Sequence, residues 1–135
     1  MEKLELKHLA PYLDHKLKFK INDLVCTMIG LTEEIVFTET GFVFNYSSES
    51  AINLLFPILR PLSDFKEPTR GELKEKYNCS SDVIEEVWRL MYDDFFKLKQ
   101  ISLETYEMFC KNHIDFQGLI EKNLAIDINT LTNNN

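Results

Sequence analysis

The hydrophobic period changes once along this chain, from two residues in the first fifty to between three and four after Ser80. That break constrains the fold, because a period of two belongs to strands and one near 3.6 to helices. Lys16-Leu17-Lys18-Phe19-Lys20-Ile21 alternates throughout, putting Leu17, Phe19 and Ile21 on one face and three lysines on the other, the pattern of a half-buried antiparallel strand. Asn22-Asp23 supplies a turn, and Leu24 to Ile29 reads as the returning strand, stopped by Gly30. Strand candidates Ile35 to Thr38 and Phe42 to Tyr46 flank Glu39-Thr40-Gly41, whose glycine accepts a positive φ. The first fifty residues therefore read as a meander of about four strands.

Pro57 and Pro61 force their predecessors into extended geometry and exclude a helix interior, so residues 56–64 read as an extended crossover. A short helix is expected over Glu72 to Tyr77. Ser81 or Asp82 then caps a helix expected to run to Leu98, with Asp82 and Glu85 at capping-box spacing. Its apolar stripe, with Ile84, Val87, Trp88, Met91, Tyr92 and Phe95, is wide enough for two neighbours, the sheet and either a second helix or a foreign protein. Phe96 projects within the polar arc. A second helix is expected after Ser102, burying Leu103, Tyr106, Phe109, Cys110, His113, Phe116 and Ile120, and ending at a left-handed Asn123 backed by Leu124. Leu124 to Ile128 reads as a last short strand. The fold class is thus α+β: an N-terminal antiparallel sheet of about four strands packed by two C-terminal helices, one domain over residues 1–128 with a flexible tail over 129–135.

Composition decides which functions are expected. Fifteen basic against 22 acidic residues give a net charge of −7, which opposes nucleic-acid binding through bulk positive charge. No apolar run approaches the length of a membrane span, the charged first residues do not read as a secretory signal, and the three widely spaced cysteines read as free thiols; a cytoplasmic protein is expected.

Candidate chemistry is sparse. Cys110 and His113 lie one turn apart and supply two metal ligands only if Cys26 or Cys79 joins them, so neither a metal nor another cofactor is expected. The same pair fails as nucleophile and base if His113 is buried. Asp64, Glu72 and Lys74 imitate the spacing of a metal-dependent nuclease, but Pro68 and Gly71 interrupt the segment. With only four glycines and no phosphate-binding loop, the chain is not expected to be an enzyme. Lys16, Lys18 and Lys20 offer a possible contact to nucleic-acid phosphates; the alternative is an edge strand that lysines protect from aggregation, since no aromatic interleaves on that face of the strand.

Three stretches together, His8-Leu9-Ala10-Pro11-Tyr12-Leu13, Pro57-Ile58-Leu59-Arg60-Pro61-Leu62-Ser63-Asp64 and Gly118 to Asn129 (GLIEKNLAIDIN), resemble a family of small, functionally uncharacterised proteins encoded in phages and prophage-like regions of bacterial genomes. The family carries Gly where this chain has Asn123, and Pro-Tyr where it has Asp14-His15. The resemblance implies a mobile-element context. Joined to an over-wide apolar helix, it leads to the expectation of an accessory protein that binds and inhibits a host protein, with an anti-CRISPR inhibitor of an RNA-guided nuclease or its ribonucleoprotein as the leading form. The expected partner-binding residues are Arg60, Trp88, Tyr92 and Phe96, because aromatic and Arg side chains dominate interface energetics; for Trp88, core packing is the competing expectation. The alternative is a small nucleic-acid-associated regulator of phage or mobile-element genes. Self-association is open on either reading.

Overall fold

The structure is a computed structural model that describes residues 4–22, 24–46, 55–66, 68–92 and 101–132. It is an α+β fold built on one sheet of six strands, in the order β4-β3-β2-β1-β5-β6. The strands are β1 Lys18–Ile21, β2 Leu24–Leu31, β3 Ile35–Thr38, β4 Val43–Asn45, β5 Leu55–Leu59 and β6 Ile126–Asp127. The first five pair antiparallel and β6 joins β5 in parallel, so the sheet is mixed and larger than the four-stranded meander expected.

The alternation in residues 16–21 sorts as the pattern requires: Leu17, Phe19 and Ile21 are buried and Lys18 is exposed. Lys16 adopts a left-handed φ of 55°, so the strand begins two residues later than the alternation does. Gly30 does not stop β2. A bulge between Met28 and Gly30 absorbs the irregularity, and a Cβ at Gly30 would lie 3.2 Å from Cδ2 of Phe37. Gly41 closes the β3–β4 turn with φ 92°.

The segment expected as an extended crossover is a strand over Leu55–Leu59 and a 3-10 turn over Leu62–Phe65. Pro57 lies opposite Phe19 in β1, while β6 pairs only with Ile58 and Leu59; proline's fixed φ suits an extended strand wherever a ladder donor is not demanded. Insertion of β5 makes β1 internal, which corrects the reading of the lysine strand as a protected edge.

Before the sheet, Leu6–Leu9 form helix α1, continued by a 3-10 helix over Ala10–His15 that the strand pattern did not reveal. Helix α2, Arg70–Tyr77, opens with a reciprocal cap between Thr69 and Glu72 and closes at left-handed Asn78. Helix α3 spans Ser81–Tyr92. Its cap is Ser80, one residue earlier than expected: the Ser80 hydroxyl accepts from the Val83 N–H at 3.3 Å and the Ser80 carbonyl from Ile84 N–H at 3.2 Å. The expected extension to Leu98, with Phe95 and Phe96, falls outside the described residues, as does the Tyr92 side chain. The wide stripe of α3 meets α2, α4 and the 3-10 turn Leu62–Phe65.

Helix α4, Leu103–Lys111, starts at the expected cap, where the Ser102 hydroxyl accepts from Thr105 N–H. It stops nine residues later. Arg60 N–H donates to the His113 carbonyl and Asp115 N–H to the Arg60 carbonyl, both at 2.8 Å, so β5 captures the backbone that would have continued the helix; His113 turns left-handed at φ 57°. Consequently Leu103 is 70% exposed and Tyr106 36% exposed, not buried as expected, and α4 instead packs through Thr105, Met108, Phe109 and Cys110. Asn123 is left-handed as predicted, with Leu124 N–H donating to the Leu119 carbonyl, but it closes a series of turns rather than a helix. Helix α5, Ile128–Thr132, takes up the first part of the expected tail, and the Asn129 side chain donates to Asp64.

The core lies between the sheet and the helices. Tyr12, Phe19, Phe65, Phe109 and Leu119 are buried there, with Phe65 stacked on Tyr77 at 4.6 Å and Phe109 on Phe116 at 5.7 Å. No described helix is long and apolar enough to cross a membrane.

Candidate functional site

The chain that follows β5 borders three adjoining hollows. Pro61 leads into the Leu62–Phe65 turn, and beyond it Lys66 and Pro68 face Trp88 and Met91 of α3 across a groove of about 560 Å³. A shallower hollow of about 620 Å³, reaching Asp64 and Glu72, shares Lys66 and Pro68 with it. A third, of about 180 Å³, reaches Ile120 and Asp115 and shares Lys66 and Met91. Lys66 therefore stands where the three meet.

Trp88 is held rather than loosely exposed. Its indole N–H donates to the Phe65 carbonyl at 2.7 Å, and the Arg70 guanidinium, itself paired with Glu85 at 2.7 Å, lies 5.8 Å from the indole centroid. A half-buried indole fixed on one side and bordering a groove on the other presents a preorganised apolar surface.

Arg60 is differently engaged. Its guanidinium pairs with Asp64 at 3.0 Å and sits 5.9 Å from the ring centroid of Tyr77. Asp64 also accepts from Asn129 at 3.0 Å, so the group knits the end of β5 to α2 and α5. Among the described residues Arg60 and Trp88 connect through the Phe65–Tyr77 stack and do not share the groove. Tyr92, at the end of α3, has no described side chain, and Phe96 lies outside the described residues.

The weaker chemical candidates separate. His113 hydrogen-bonds through Nε2 to the His15 carbonyl at 2.6 Å, which puts the proton on Nε2, and burial pushes its pKa below the ordinary histidine value. Cys110 is buried, and burial raises its thiol pKa. Among the described residues no group of three or more His, Cys, Asp or Glu side chains could hold a metal ion. Glu72 is occupied by the α2 cap and Asp64 by Arg60 and Asn129, which sets the nuclease-like spacing in a structural role. Asp115 is buried with its carboxylate accepting from Leu119 and Ile120 N–H at 2.8 and 2.9 Å; burial raises its pKa in spite of these donors.

The lysines of β1 point outward. Lys20 is in register with Phe56 of β5 and with Val25 of β2, and Lys18 with Thr27. The pairing supplies aromatics from neighbouring strands to the lysine face, Phe56 beside Lys20 and Phe37 on β3, although none interleaves along β1 itself. The sequence signal for this face was the run Leu24 to Ile29, apolar but for Thr27, which leaves Val25 and Ile29 on the solvent side while Cys26 and Met28 are buried. The Lys66 groove carries no such signal, because its walls come from segments joined only by the tertiary fold. Compared with known proteins, the chain matches no family model, no curated protein and no solved structure.

Proposed function

We propose that this chain is a phage or mobile-element accessory protein that acts in the cytoplasm by binding and inhibiting a host protein, and that it is not an enzyme. The observation that carries the reading is Trp88, anchored by its N–H to the Phe65 carbonyl and open to the groove of Lys66, Pro68 and Met91. Trp, Met and a flanking Arg are the side chains that protein interfaces favour at their energetic centres. The resemblance of three of its segments to phage-encoded proteins supplies the mobile-element context. An RNA-guided nuclease is the leading target, since a net charge of −7 suits approach to its basic nucleic-acid channel, while contact is made through the mixed apolar and basic groove. Arg60 acts through the scaffold, because Asp64 and Tyr77 already engage its guanidinium.

The test is capture from host lysate on the tagged protein, with and without nuclease digestion, compared with Trp88→Ala. A single host protein retained after digestion, lost with Trp88→Ala and inhibited by the purified chain supports the reading. Capture that Trp88→Ala leaves intact refutes the groove. Phe56 beside Lys20 favours the second reading, a nucleic-acid-associated regulator. That reading requires log affinity for nucleic acid to fall linearly with log salt, and it fails if nothing is retained at about 50 mM salt.

A further inference from the structure

The most exposed apolar surface of the described residues is not the groove but the outward face of the β1–β4 sheet. Val25 is 54%, Ile29 63% and Val43 50% exposed, with Phe37 at 38% beside them. Register places them together: Phe37 lies between Gly30 of β2 and Val43 of β4, and Ile29 sits at the bulge next to Gly30.

Two opposite charges on this face flank β2, with Lys20 further along β1 beside Val25. Lys18 pairs in register with Thr27 on one side. On the other side the Glu39 N–H donates to the Thr27 carbonyl at 3.1 Å, which sets this exposed first residue of the β3–β4 turn beside Thr27. One row thus reads Glu39, Thr27, Lys18, with the opposite charges on either flank of β2, each one strand spacing, about 4.8 Å, from it. Among the described residues neither Lys18 nor Glu39 is in an ion pair.

A two-fold axis running along β2 exchanges its two flanks. It sets Lys18 of one copy against Glu39 of the other, twice, and brings Val25 and Ile29 onto their own counterparts at the centre, within the aligned geometry that packed sheets adopt. We propose that this sheet face is a self-complementary interface at which a second copy of the chain docks, with the Lys18 and Glu39 pairs fixing its register. A polyanion is less well served, because Glu39 repels phosphate on the same face and the chain as a whole carries −7. A foreign partner has no reason to meet charges placed symmetrically about one strand.

Sedimentation velocity on the full chain between about 5 and about 500 μM, at about 50 mM salt, tests this. A reversible monomer–dimer equilibrium is expected. Lys18→Glu and Glu39→Lys should each raise the dimer Kd at least about tenfold, and the double swap should return it to within about threefold of the unmodified chain, which is the signature of a direct pair. Both positions are exposed, and circular dichroism confirms that each variant folds. A monomer throughout the range overturns the proposal, and so does a double swap that fails to recover. Retention on single-stranded DNA that Lys18→Glu abolishes and the double swap does not restore assigns the face to nucleic acid instead and likewise overturns it.

Discussion

Replacing Trp88 with Phe isolates what the indole contributes to the groove. The variant loses the N–H donated to the Phe65 carbonyl, about 1 kcal/mol net for a partly buried neutral hydrogen bond. It also loses part of the attraction to Arg70 and the contacts of the larger ring, together about 1 kcal/mol at a half-exposed site. The expected cost is about 2 kcal/mol. For 135 residues the entropy of unfolding near Tm is about 0.28 kcal/mol/K, so Tm should fall by about 7 °C. Trp88 is the sole tryptophan, so the comparison is followed by circular dichroism rather than intrinsic fluorescence. In the unmodified chain the same uniqueness makes indole emission a direct reporter of groove occupancy. A shift below about 2 °C would refute the claim that the Phe65 carbonyl fixes the indole, and one above about 12 °C would place Trp88 in the core rather than at a surface groove.

Three further outcomes follow. His113→Asn keeps a residue that tolerates the left-handed conformation; because burial lowers the folded-state pKa of His113, the unmodified chain binds fewer protons folded than unfolded and loses stability as pH falls below about 6.5, so Tm measured from pH 7.5 to 5 should decline less steeply in the variant, and parallel slopes would contradict the burial argument. Ser102→Ala removes the α4 cap and one of the two hydrogen bonds that Ser102 gives Glu86, and should cost about 1 to 1.5 kcal/mol in urea unfolding; an unchanged midpoint would show that the cap is replaced by water. Arg60→Ala strips Asp64 of its ion-pair partner and Tyr77 of one of the two cations over its ring, the other being Lys76, and should cost about 1 to 2 kcal/mol while leaving partner capture at 25 °C intact, whereas lost capture at unchanged Tm would restore Arg60 to the binding surface.

The sequence was most legible where one local rule decided the outcome. Alternation marked Leu17, Phe19 and Ile21 as core, Gly41 marked its turn, Ser102 its cap and Asn123 its left-handed position. It misled where distant backbone competed with local periodicity. The apolar spacing from Leu103 to Ile120 is helical, yet Arg60 takes the hydrogen bonds of His113 and Asp115 and ends the helix at residue 111. Pro57 reads as a breaker in isolation, but as a strand residue once Phe19 lies beside it. The groove at Lys66 depends on how α2, α3 and the Leu62–Phe65 turn dock, and nothing local in their sequences encodes that arrangement. The Glu39 and Lys18 flanks emerge only from register.

The N-terminal segment is tied by three hydrogen bonds to residues about a hundred positions further along the chain. The Tyr12 hydroxyl donates to the Ile114 carbonyl, His113 holds the His15 carbonyl, and Gln117 holds the His8 carbonyl, across separations of 102, 98 and 109 residues. On the ribosome the strands of the meander can pair early, because each contacts its immediate successor. Tyr12 and Leu9, buried in the finished fold, have no C-terminal partners to cover them until translation has passed residue 117. The segment from Leu9 to His15 is therefore secured late, because the groups that hold it lie about a hundred residues further along the chain.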